Sequence, residues 1–309
     1  MTTMKSIKEI KRLVDADFAI RWQITYMCNL SCPYCIQFKK RVDFDRELLF
    51  IEQQKNEFTA RKINSLIEQS KFENVHFSIV GGEASLFDIQ EIMENIPTRK
   101  IKTFHFISNM TAPVEFYINL SNYLKSRGCK FELLCSYHEQ TDLENFFKKA
   151  KEVKQTGAVV RCEKVSLGNE NKEECKSFIE RCSSENLLYK IDGDSRVPAT
   201  EWEHKGIFAT AEVPTKQVKF MDGTFKKYNS RSELVCDYDI KECNEKTQGL
   251  LLKGFKCTST NNFLNIIDSQ VTHCSDSWSL DRFKLKDEPI ICTKTKCKCC
   301  FDVDIKRCL

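Results

Sequence analysis

An alternation of strand-like and helix-like segments over about residues 18 to 192 most constrains the fold of this chain. The strand-like runs are rich in Val, Ile, Phe and Tyr, and they lie at 18–27, 75–80, 103–108, 131–138, 158–167 and 187–191. The helix-like stretches carry apolar residues three or four positions apart, and they lie at 46–70, 87–96, 114–127, 142–156 and 170–185. This alternation predicts an α/β fold with a parallel sheet, for which a doubly wound sheet and a partial barrel both fit. In either architecture the chemistry is expected at the carboxyl ends of the strands.

The sequence around this unit predicts three further parts. Residues 1–17 have the pattern of a short amphipathic lead helix before the unit at 18–200. Residues 201–248 form an irregular bridging region with turn signals, and residues 249–309 form a small cysteine-rich unit. The last unit has no helix pattern long enough to supply a core, and such units often need a metal.

Charge and hydropathy exclude several classes of protein. The net charge is only +4, and basic and acidic residues are interspersed, so the composition does not favour nucleic acid as a partner. No stretch approaches the roughly 18 uninterrupted apolar residues of a membrane span. The first residues also lack the apolar centre of a signal peptide. We therefore expect a cytoplasmic protein that does not associate with membranes.

The cysteine content is high, with 17 cysteines in 309 residues. A disulfide framework suits small secreted chains, so metal binding or redox chemistry is the better expectation. Three of the cysteines, Cys28, Cys32 and Cys35, fall in one short loop directly after the first predicted strand. Structural zinc normally takes four ligands, whereas an iron–sulfur cubane held by three thiolates leaves one iron without a protein ligand. The spacing favours the cubane, with zinc completed by a distant fourth ligand as the alternative.

Polar residues also follow the second and third predicted strands. Gly81 and Gly82 in SIVGGEASLF permit a close approach of the backbone to a ligand, and Glu83 can face a cation. An ordinary strand-to-helix turn is the alternative for this segment. Ser108 and Asn109 in FISNMT can bind a carboxylate or ribose hydroxyls through hydrogen bonds, although both residue types also suit a turn or a helix cap.

The fourth and fifth predicted strands add further candidates. Ser136 and His138 end the fourth strand, and His138 is a candidate substrate ligand or proton shuttle, although a histidine there is more often structural. Arg161 and Glu163 share one face of the fifth strand by its period of two. Arg161 is therefore a candidate ligand for an acid, with an Arg161–Glu163 salt bridge as the alternative. His138, Arg161 and Glu163 are the catalytic candidates.

A second group of cysteines lies in the C-terminal unit. Cys257 and Cys274 flank a predicted hairpin, and further cysteines follow at Cys292, Cys297, Cys299 and Cys300. Four thiolates from these positions can complete a four-coordinate metal site. Both an iron–sulfur cluster and zinc are consistent with this group, because four thiolates satisfy zinc equally well.

The first cysteine loop resembles that of the radical S-adenosylmethionine (SAM) superfamily, including the aromatic Tyr34 directly before the third cysteine. The resemblance implies a partial (β/α)6 TIM-like barrel and a [4Fe–4S] cluster on Cys28, Cys32 and Cys35, with SAM chelating the open iron. It also implies an oxidoreductase or lyase type of enzyme. Reductive cleavage of SAM yields a 5′-deoxyadenosyl radical, which removes a hydrogen atom from the substrate.

The resemblance also assigns contacts to SAM. In the family a Gly-Gly-Glu motif binds the ammonium group of SAM, and that role carries over to Gly81, Gly82 and Glu83. Ala84 stands where the family often has proline, which makes the turn less rigid. Polar residues at the later strand ends match contacts to the SAM ribose and carboxylate. The positions implied are Tyr34, Ser108, Asn109, Ser136 and Arg161.

The C-terminal cysteines resemble the twitch, or short SPASM, auxiliary-cluster domains of the same superfamily. That pattern has Gly five positions before its second cysteine, where this sequence has Ser269. Too few cysteines are present for two auxiliary clusters, so the resemblance implies one auxiliary [4Fe–4S] cluster. Its ligands would be four of Cys257, Cys274, Cys292, Cys297 and Cys299, with Cys300 as an alternative ligand.

The resemblance implies a small polar molecule or a peptide as substrate, and a one-electron reductant such as flavodoxin or ferredoxin as partner. About 17 residues precede the first predicted strand, too few for the peptide-binding domain of many peptide-modifying members, which favours the small substrate. Net oxidation, epimerisation and bond formation are all open. The alternative functions are a peptide- or protein-modifying maturase of the same superfamily and a cysteine-rich zinc module that binds nucleic acid.

Overall fold

The structure, a computed structural model, describes residues 7–12, 16–35, 37, 39–167, 172–193, 216–228, 255–273, 276–292 and 305–307. The strands are β1 Ile7–Arg12, β2 Phe18–Thr25, β3 Met27–Cys28, β4 Val42–Asp43, β5 Val75–Gly81, β6 Ile101–Ser108, β7 Lys130–Tyr137, β8 Val159–Ser166, β9 Leu188–Gly193, β10 Lys216–Phe220, β11 Phe225–Tyr228, β12 Phe255–Cys257, β13 Phe263–Ile267, β14 Gln270–His273, β15 Asp276–Ser279, β16 Ile290–Ile291 and β17 Ile305–Arg307. The α-helices are α1 Arg46–Gln69, α2 Ile89–Glu94, α3 Val114–Ser126, α4 Leu143–Gln155 and α5 Lys172–Ser184, and a 3-10 turn covers Ala84–Leu86.

The main sheet has nine strands in the order β15-β14-β13-β2-β5-β6-β7-β8-β9. Every pair from β13 to β9 is parallel. From β2 to β9 the strands lie beside one another in chain order, whereas a doubly wound sheet reverses its order at a switch point. The predicted parallel α/β sheet is therefore confirmed, and its strand order is that of a partial (β/α)6 barrel.

Aspartate side chains set the starting points of three helices. Asp45, Asp88 and Asp142 each accept a hydrogen bond from the backbone N–H three residues later, at 2.6–2.9 Å. Each cap satisfies a donor that the helix itself leaves unpaired, which is worth about 1 kcal/mol. The caps thus fix where α1, α2 and α4 begin after the loops at the carboxyl edge of the sheet.

The hydrophobic core lies between the main sheet and its helices. Phe18, Ile20 and Trp22 of β2 are almost completely buried in it, as are Phe104 and Phe106 of β6. These residues alternate along their strands, so the intervening residues point to the opposite side of the sheet. Burial of one side chain of this size contributes roughly 1.5–3 kcal/mol, which fixes the register of each strand.

The opposite side of the main sheet is polar, and we call it the open face. Its polar and charged side chains include Gln23, Arg21, His76, Ser78, Thr103, His105, Lys130, Glu132, Ser136, Arg161, Glu163 and Lys190. Arg21 is exposed to solvent, whereas Glu163 and Lys190 are buried. These residues alternate with those of the core, so they lie on the side of the sheet away from the core that the described helices cover.

Residues near the N-terminus correct the predicted lead helix. Ile7–Arg12 is a strand, and it pairs antiparallel with β10 and β17 in a six-stranded second sheet. The amphipathic pattern of residues 1–17 suggested a helix, but Ile7 and Ile10 pair with Phe220 and Val218, and a bulge after Ile7 takes up the difference in spacing. Strand pairing has therefore overridden the local pattern.

The C-terminal segment is not a separate unit in its strand pairing. The predicted hairpin exists as β13 and β14, but β13 pairs in parallel with β2 and so extends the main sheet. Asp268 and Ser269 form its two-residue turn with φ values of 50° and 59°. Both positions need the left-handed conformation that Asn and Gly favour. The second sheet joins β1 and the β10–β11 pair of the bridging region to β12, β16 and β17, so its pairing crosses the predicted boundaries.

None of the helices in the described ranges is both long and apolar enough to span a bilayer.

Candidate active site

The cysteine loop leaves β2 at the carboxyl edge of the main sheet. Thr25 ends β2, and its hydroxyl donates to the Glu52 carboxylate of α1 at 2.6 Å and accepts from the Met27 N–H at 2.8 Å. Pairing of β3 with β4 closes the loop at its base. Arg41 donates to the Leu30 carbonyl at 3.1 Å, which ties the returning chain to the middle of the loop.

The Gly-Gly-Glu segment packs directly against the start of this loop. The Gly82 N–H donates to the Thr25 carbonyl at 3.0 Å, and the Glu83 N–H donates to the Met27 carbonyl at 2.8 Å. A Cβ atom on Gly82 would lie 2.1 Å from the Met27 oxygen, whereas one on Gly81 would lie 3.0 Å from the Thr25 oxygen. Gly82 is therefore required by the contact between two backbones.

The three thiols of the loop influence one another electrostatically. Burial raises the pKa of Cys32 to about 11, with the neighbouring Cys28 and Cys35 acting in the same direction. Burial also raises the pKa of Cys28, and the charges of Glu83 and Cys35 add to it, while a backbone hydrogen bond and Arg41 oppose the shift. Ionisation of these thiols is therefore favoured by a bound cation, and metal binding here would release protons.

Glu83 is a buried carboxylate at the centre of the site, with 1% of its surface exposed. Its Oε1 accepts from the Ser85 N–H at 2.9 Å and from the Ser108 hydroxyl at 2.8 Å, and its Oε2 accepts from the Asn109 N–H at 2.6 Å. Burial raises the pKa of Glu83, and these hydrogen bonds oppose that shift. Among the side chains that the structure describes, no ion pair involves Glu83, so neutral donors alone stabilise its charge.

Asn109 connects the end of β6 to the cysteine loop. Its Nδ2 donates to Asn29 Oδ1 at 2.9 Å, and its Oδ1 accepts from the Thr111 N–H and hydroxyl at 3.1 and 2.6 Å. Asn29 in turn donates to the Thr111 hydroxyl at 2.9 Å. The role of Asn29 was not predicted from the sequence. No local pattern in the loop distinguishes a polar residue that binds Asn109, at the end of β6, from one that faces solvent.

The end of β7 holds the other side of the loop. The Tyr34 hydroxyl lies 3.1 Å from His138 Nδ1, and the two rings stack with centroids 5.9 Å apart. Gln140 accepts from the Ser31 N–H at 3.0 Å. Burial lowers the pKa of His138 to about 4, and Lys164 acts in the same direction. His138 is thus neutral near pH 7, and its contact with Tyr34 joins the end of β7 to the cysteine loop.

A cavity of about 230 Å³ lies beside these contacts, between the ends of β6 and β7 and the first turns of α4. Its lining includes Asn109, Thr111 and Gln140, which also hold the cysteine loop. Lys149 closes one side by donating to the Met110 and Ala112 carbonyls at 2.9 and 2.7 Å. The cavity is smaller than most ligand pockets, which run from about 300 to 1,000 Å³.

Three further predicted residues lie on the open face. Ser136 of β7 is in register with Glu163 of β8, and Arg161 lies on the same face two residues earlier. The shared face of Arg161 and Glu163 agrees with the period of two used to predict it. Ser136 and Arg161 therefore approach the carboxyl edge from the side of the sheet opposite to the core.

Two of the C-terminal cysteines lie close together in the second sheet. Cys257 on β12 and Cys292 after β16 are 2% and 8% exposed. Cys257 is in register with Ile290, and the Cys292 N–H donates to the Phe255 carbonyl at 2.7 Å. Cys257 and Cys292 are thus two positions apart on one face of paired strands. The predicted ligands Cys274, Cys297, Cys299 and Cys300 lie outside the described residues.

The donor chemistry of the first loop fits an iron–sulfur cluster. Three thiols in one loop match the thiolate ligands that such clusters take, and they are electrostatically coupled. Across the described ranges, no three or more His, Cys, Asp or Glu side chains are gathered as a ready metal site. The fit therefore rests on ligand type and shared location, with Cys28, Cys32 and Cys35 as the residues that would hold the cluster.

No protein-family model and no curated protein matches the sequence. Several solved structures are similar to part of it. A structure described as native anSMEcpe with bound AdoMet shares 13% identity with a TM-score of 0.42, covering 57% of this chain and 51% of that one. SuiB from Streptococcus suis, bound to S-adenosylmethionine, shares 18% identity with a TM-score of 0.41, covering 60% of this chain and 43% of that one. SuiB bound to the precursor peptide SuiA gives the same identity and TM-score. The chain spans about half the length of these structures or less, and TM-scores this low carry no argument about its function.

Proposed function

We propose that this chain is a radical SAM enzyme, with the SAM-binding cluster on Cys28, Cys32 and Cys35 and the SAM ammonium group on Glu83. The observation that carries the proposal is that the backbone of Glu83 is bonded to the start of the cysteine loop, at the Met27 carbonyl, at the carboxyl edge of a parallel sheet. The charge of the buried Glu83 raises the pKa of Cys28, and no cation pairs with Glu83 among the described side chains. Ionisation of Glu83 and of Cys28 would therefore be favoured by a cation bound at each of them.

The hydrogen bonds of Glu83 leave one acceptor position of its carboxylate for such a cation. A carboxylate offers about four acceptor positions, and the three donors from Ser85, Ser108 and Asn109 occupy three of them. An ammonium group at the remaining position would form a charge-assisted hydrogen bond in a buried setting. The ammonium group of SAM would therefore supply the counter-charge that no described side chain gives to Glu83.

The surrounding residues hold this arrangement rigidly. The absence of a side chain at Gly82 lets the Gly-Gly-Glu segment contact the base of the cysteine loop. The loop is bonded to the end of β6 through Asn29 and Asn109, and to the end of β7 through Tyr34. When bound, the cluster and SAM supply the reductive cleavage that yields a 5′-deoxyadenosyl radical. The protein would position the cofactor and keep Glu83 away from solvent.

Formation of 5′-deoxyadenosine tests the proposal. The protein is reconstituted anaerobically with iron and sulfide, then incubated with SAM and dithionite, and Cys32→Ala is compared with Cys129→Ala as a matched control. Cys129 is buried at the opposite end of the main sheet, before β7. We expect SAM binding and product from the wild type and Cys129→Ala, and neither from Cys32→Ala. Wild type with a full complement of iron that binds no SAM would refute the proposal.

We also propose one auxiliary [4Fe–4S] cluster, with Cys257 and Cys292 among its ligands. The support is that both thiols are buried on one face of paired strands in the second sheet. A Cys257→Ala/Cys292→Ala variant should lose about four of about eight irons per chain while the first cluster is retained. A wild type with about four irons and one zinc would instead assign this site to zinc.

The substrate that we propose is a small polar molecule or a peptide, reached in the cytoplasm with electrons from a one-electron donor such as flavodoxin or ferredoxin. The net reaction that we propose for the substrate radical is oxidation, epimerisation or bond formation. Incubation with candidate substrates in deuterated form, followed by mass spectrometry of 5′-deoxyadenosine, identifies the substrate by transfer of deuterium. A substrate that leaves 5′-deoxyadenosine unlabelled does not donate the abstracted hydrogen.

A further inference from the structure

Tyr117 of α3 carries a hydroxyl group that packing of the hydrophobic core does not require. Its side chain is completely buried, and it lies on the core-facing side of the helix with Leu120 and Leu124. Its ring packs edge-on against Phe116 with centroids 5.0 Å apart, a contact that phenylalanine could make equally well. A buried hydroxyl group costs free energy unless it forms a hydrogen bond, so the partner of Tyr117 indicates what the hydroxyl contributes.

That partner is Ser108, at the end of β6. The Tyr117 hydroxyl oxygen lies 2.7 Å from Ser108 Oγ, and the Ser108 hydroxyl donates to Glu83 Oε1 at 2.8 Å. The Met110 N–H also donates to Ser108 Oγ, at 3.1 Å. A serine hydroxyl has one proton and two lone pairs, and the proton of Ser108 is already given to Glu83. Tyr117 is therefore the donor to Ser108, and both hydrogen bonds of this chain point toward the Glu83 carboxylate.

The acidity of Tyr117 agrees with this direction. Burial raises the pKa of Tyr117, and the negative charge of Glu83 raises it further. The hydroxyl therefore keeps its proton near neutral pH and remains a donor. Hydrogen bonds that follow one another in a buried chain polarise each other, so the bond from Tyr117 strengthens the bond from Ser108 to Glu83.

The turn after Ser108 is held in an unfavourable backbone conformation. Met110 has a φ of 60°, in the left-handed region that residues with a side chain seldom adopt. Such strain persists only where surrounding contacts fix it, and Lys149 contributes by donating to the Met110 carbonyl at 2.9 Å. The turn places the Ser108 hydroxyl and the Asn109 N–H within hydrogen-bonding distance of the same carboxylate. Tyr117 acts on one of these two donors.

We propose that Tyr117 is a positioning residue for SAM, because it donates to Ser108, which in turn holds the Glu83 carboxylate in the orientation that receives the SAM ammonium group. This inference rests on the proposed function, in which Glu83 binds that ammonium group. Since Tyr117 is completely buried, it acts through Ser108 and Glu83 and not by contact with SAM. Its effect is to fix which acceptor positions of Glu83 the protein occupies and which one stays available.

Calorimetric titration of the anaerobically reconstituted protein with SAM tests the proposal in Tyr117→Phe, which removes the hydroxyl and keeps the ring. Tyr123→Phe is the matched control, because Tyr123 lies on the same helix and its hydroxyl accepts from Arg127 at 2.9 Å. The net contribution of one such hydrogen bond corresponds to a change in affinity of about three- to tenfold. We expect SAM to bind more weakly to Tyr117→Phe by this factor, and as tightly to Tyr123→Phe as to the wild type.

A second comparison separates positioning from a general structural role. The Tyr117→Phe change is repeated in a Glu83→Gln background, in which no carboxylate charge remains to be positioned. We expect Tyr117→Phe to change SAM binding less than twofold there. An equal loss of affinity in both backgrounds would overturn the inference, because the loss would then not pass through Glu83. Ser108→Ala interrupts the same chain and should weaken SAM binding at least as much, which guards against a folding defect in Tyr117→Phe.

The outcomes separate this inference from the proposed function. If the wild type binds SAM and Tyr117→Phe binds it as tightly, Tyr117 is not a positioning residue, while the radical SAM proposal stands. If the wild type with full iron binds no SAM, the proposed function is wrong. Chemical denaturation of the wild type, the two single variants and the double variant then decides what remains. A coupling between Tyr117 and Glu83 in the free energy of unfolding supports the orientation of Glu83 by Tyr117, and its absence overturns that as well.

Discussion

Substitution of Glu83 by glutamine tests the centre of the proposed site. The amide keeps the shape of the side chain and one acceptor oxygen, so the bonds from Ser85 and Ser108 can persist. It cannot pair a charge with an ammonium group. A hydrogen bond to a charged group is worth about 1.5–3 kcal/mol, so we expect SAM to bind roughly 10- to 150-fold more weakly. Calorimetric titration of the anaerobically reconstituted protein measures this change.

The same contacts also predict how Glu83→Gln changes the free energy of unfolding. The glutamine Nε2 cannot accept from the Asn109 N–H, which Glu83 now binds at 2.6 Å, and an unsatisfied buried donor costs about 1–3 kcal/mol. Removal of a buried charge offsets part of that cost. Burial raises the pKa of Glu83, so the folded state holds this proton more tightly than the unfolded chain does. The free energy of unfolding of the wild type without SAM should therefore fall as pH rises from the ordinary carboxyl pKa to the raised one, and this slope should be absent in Glu83→Gln.

Glu91→Gln is the matched control, because Glu91 is an exposed carboxylate eight residues further along the chain. Both variants should retain the iron content of the wild type, since neither residue is a proposed cluster ligand. The reasoning fails if Glu83→Gln with full iron binds SAM within twofold of the wild type. It also fails if Glu91→Gln weakens SAM binding as strongly, because the loss would then follow overall charge.

Three further predictions follow from other contacts of the described residues. Gly82→Ala should lower the free energy of unfolding by about 2–3 kcal/mol and abolish SAM binding, because its Cβ would lie 2.1 Å from the Met27 oxygen, whereas Gly81→Ala, at 3.0 Å, should do less in the same chemical denaturation assay. Asp268→Gly should raise the free energy of unfolding by about 0.5–1 kcal/mol, because Asp268 has a φ of 50°. Ser269→Gly should gain less than Asp268→Gly, because it also loses the bond of its hydroxyl to Thr59 at 2.9 Å, and the opposite ranking would contradict this account. Burial lowers the pKa of His138 to about 4, so the folded state should lose about 3 kcal/mol as pH falls from 6.5 to 4, and His138→Phe should reduce that loss in thermal unfolding measured across this pH range.

Local patterns predicted the elements of the α/β unit well, because each strand and helix carries its own periodicity and three of the helices begin at an aspartate cap. The loops at the strand ends were also predictable, since the carboxyl ends of parallel strands meet at one edge. The contacts that join those loops were not. Asn29 binds Asn109 across 80 positions and Ser31 binds Gln140 across 109, and no short segment encodes such a pair.

The same limit explains the errors at the two ends of the chain. Apolar residues three apart near the N-terminus fit a helix and also fit a bulged strand, and only the pairing with β10 and β17 decides between them. The hairpin of β13 and β14 was predicted from its sequence, but the strand with which it pairs was not. Its position beside β2 depends on a match with a strand more than 240 residues earlier.

The pairing of β13 with β2 has a consequence for the order of assembly during synthesis. Until the ribosome has released the segment that contains β13, β2 has an unpaired edge on the side where β13 will pair. Such an edge is open to other chains and favours aggregation. The cysteine loop begins directly after β2, so the strand next to the proposed cluster ligands is among the last of the sheet to be covered. Iron delivered before that moment would meet the loop beside an incomplete sheet.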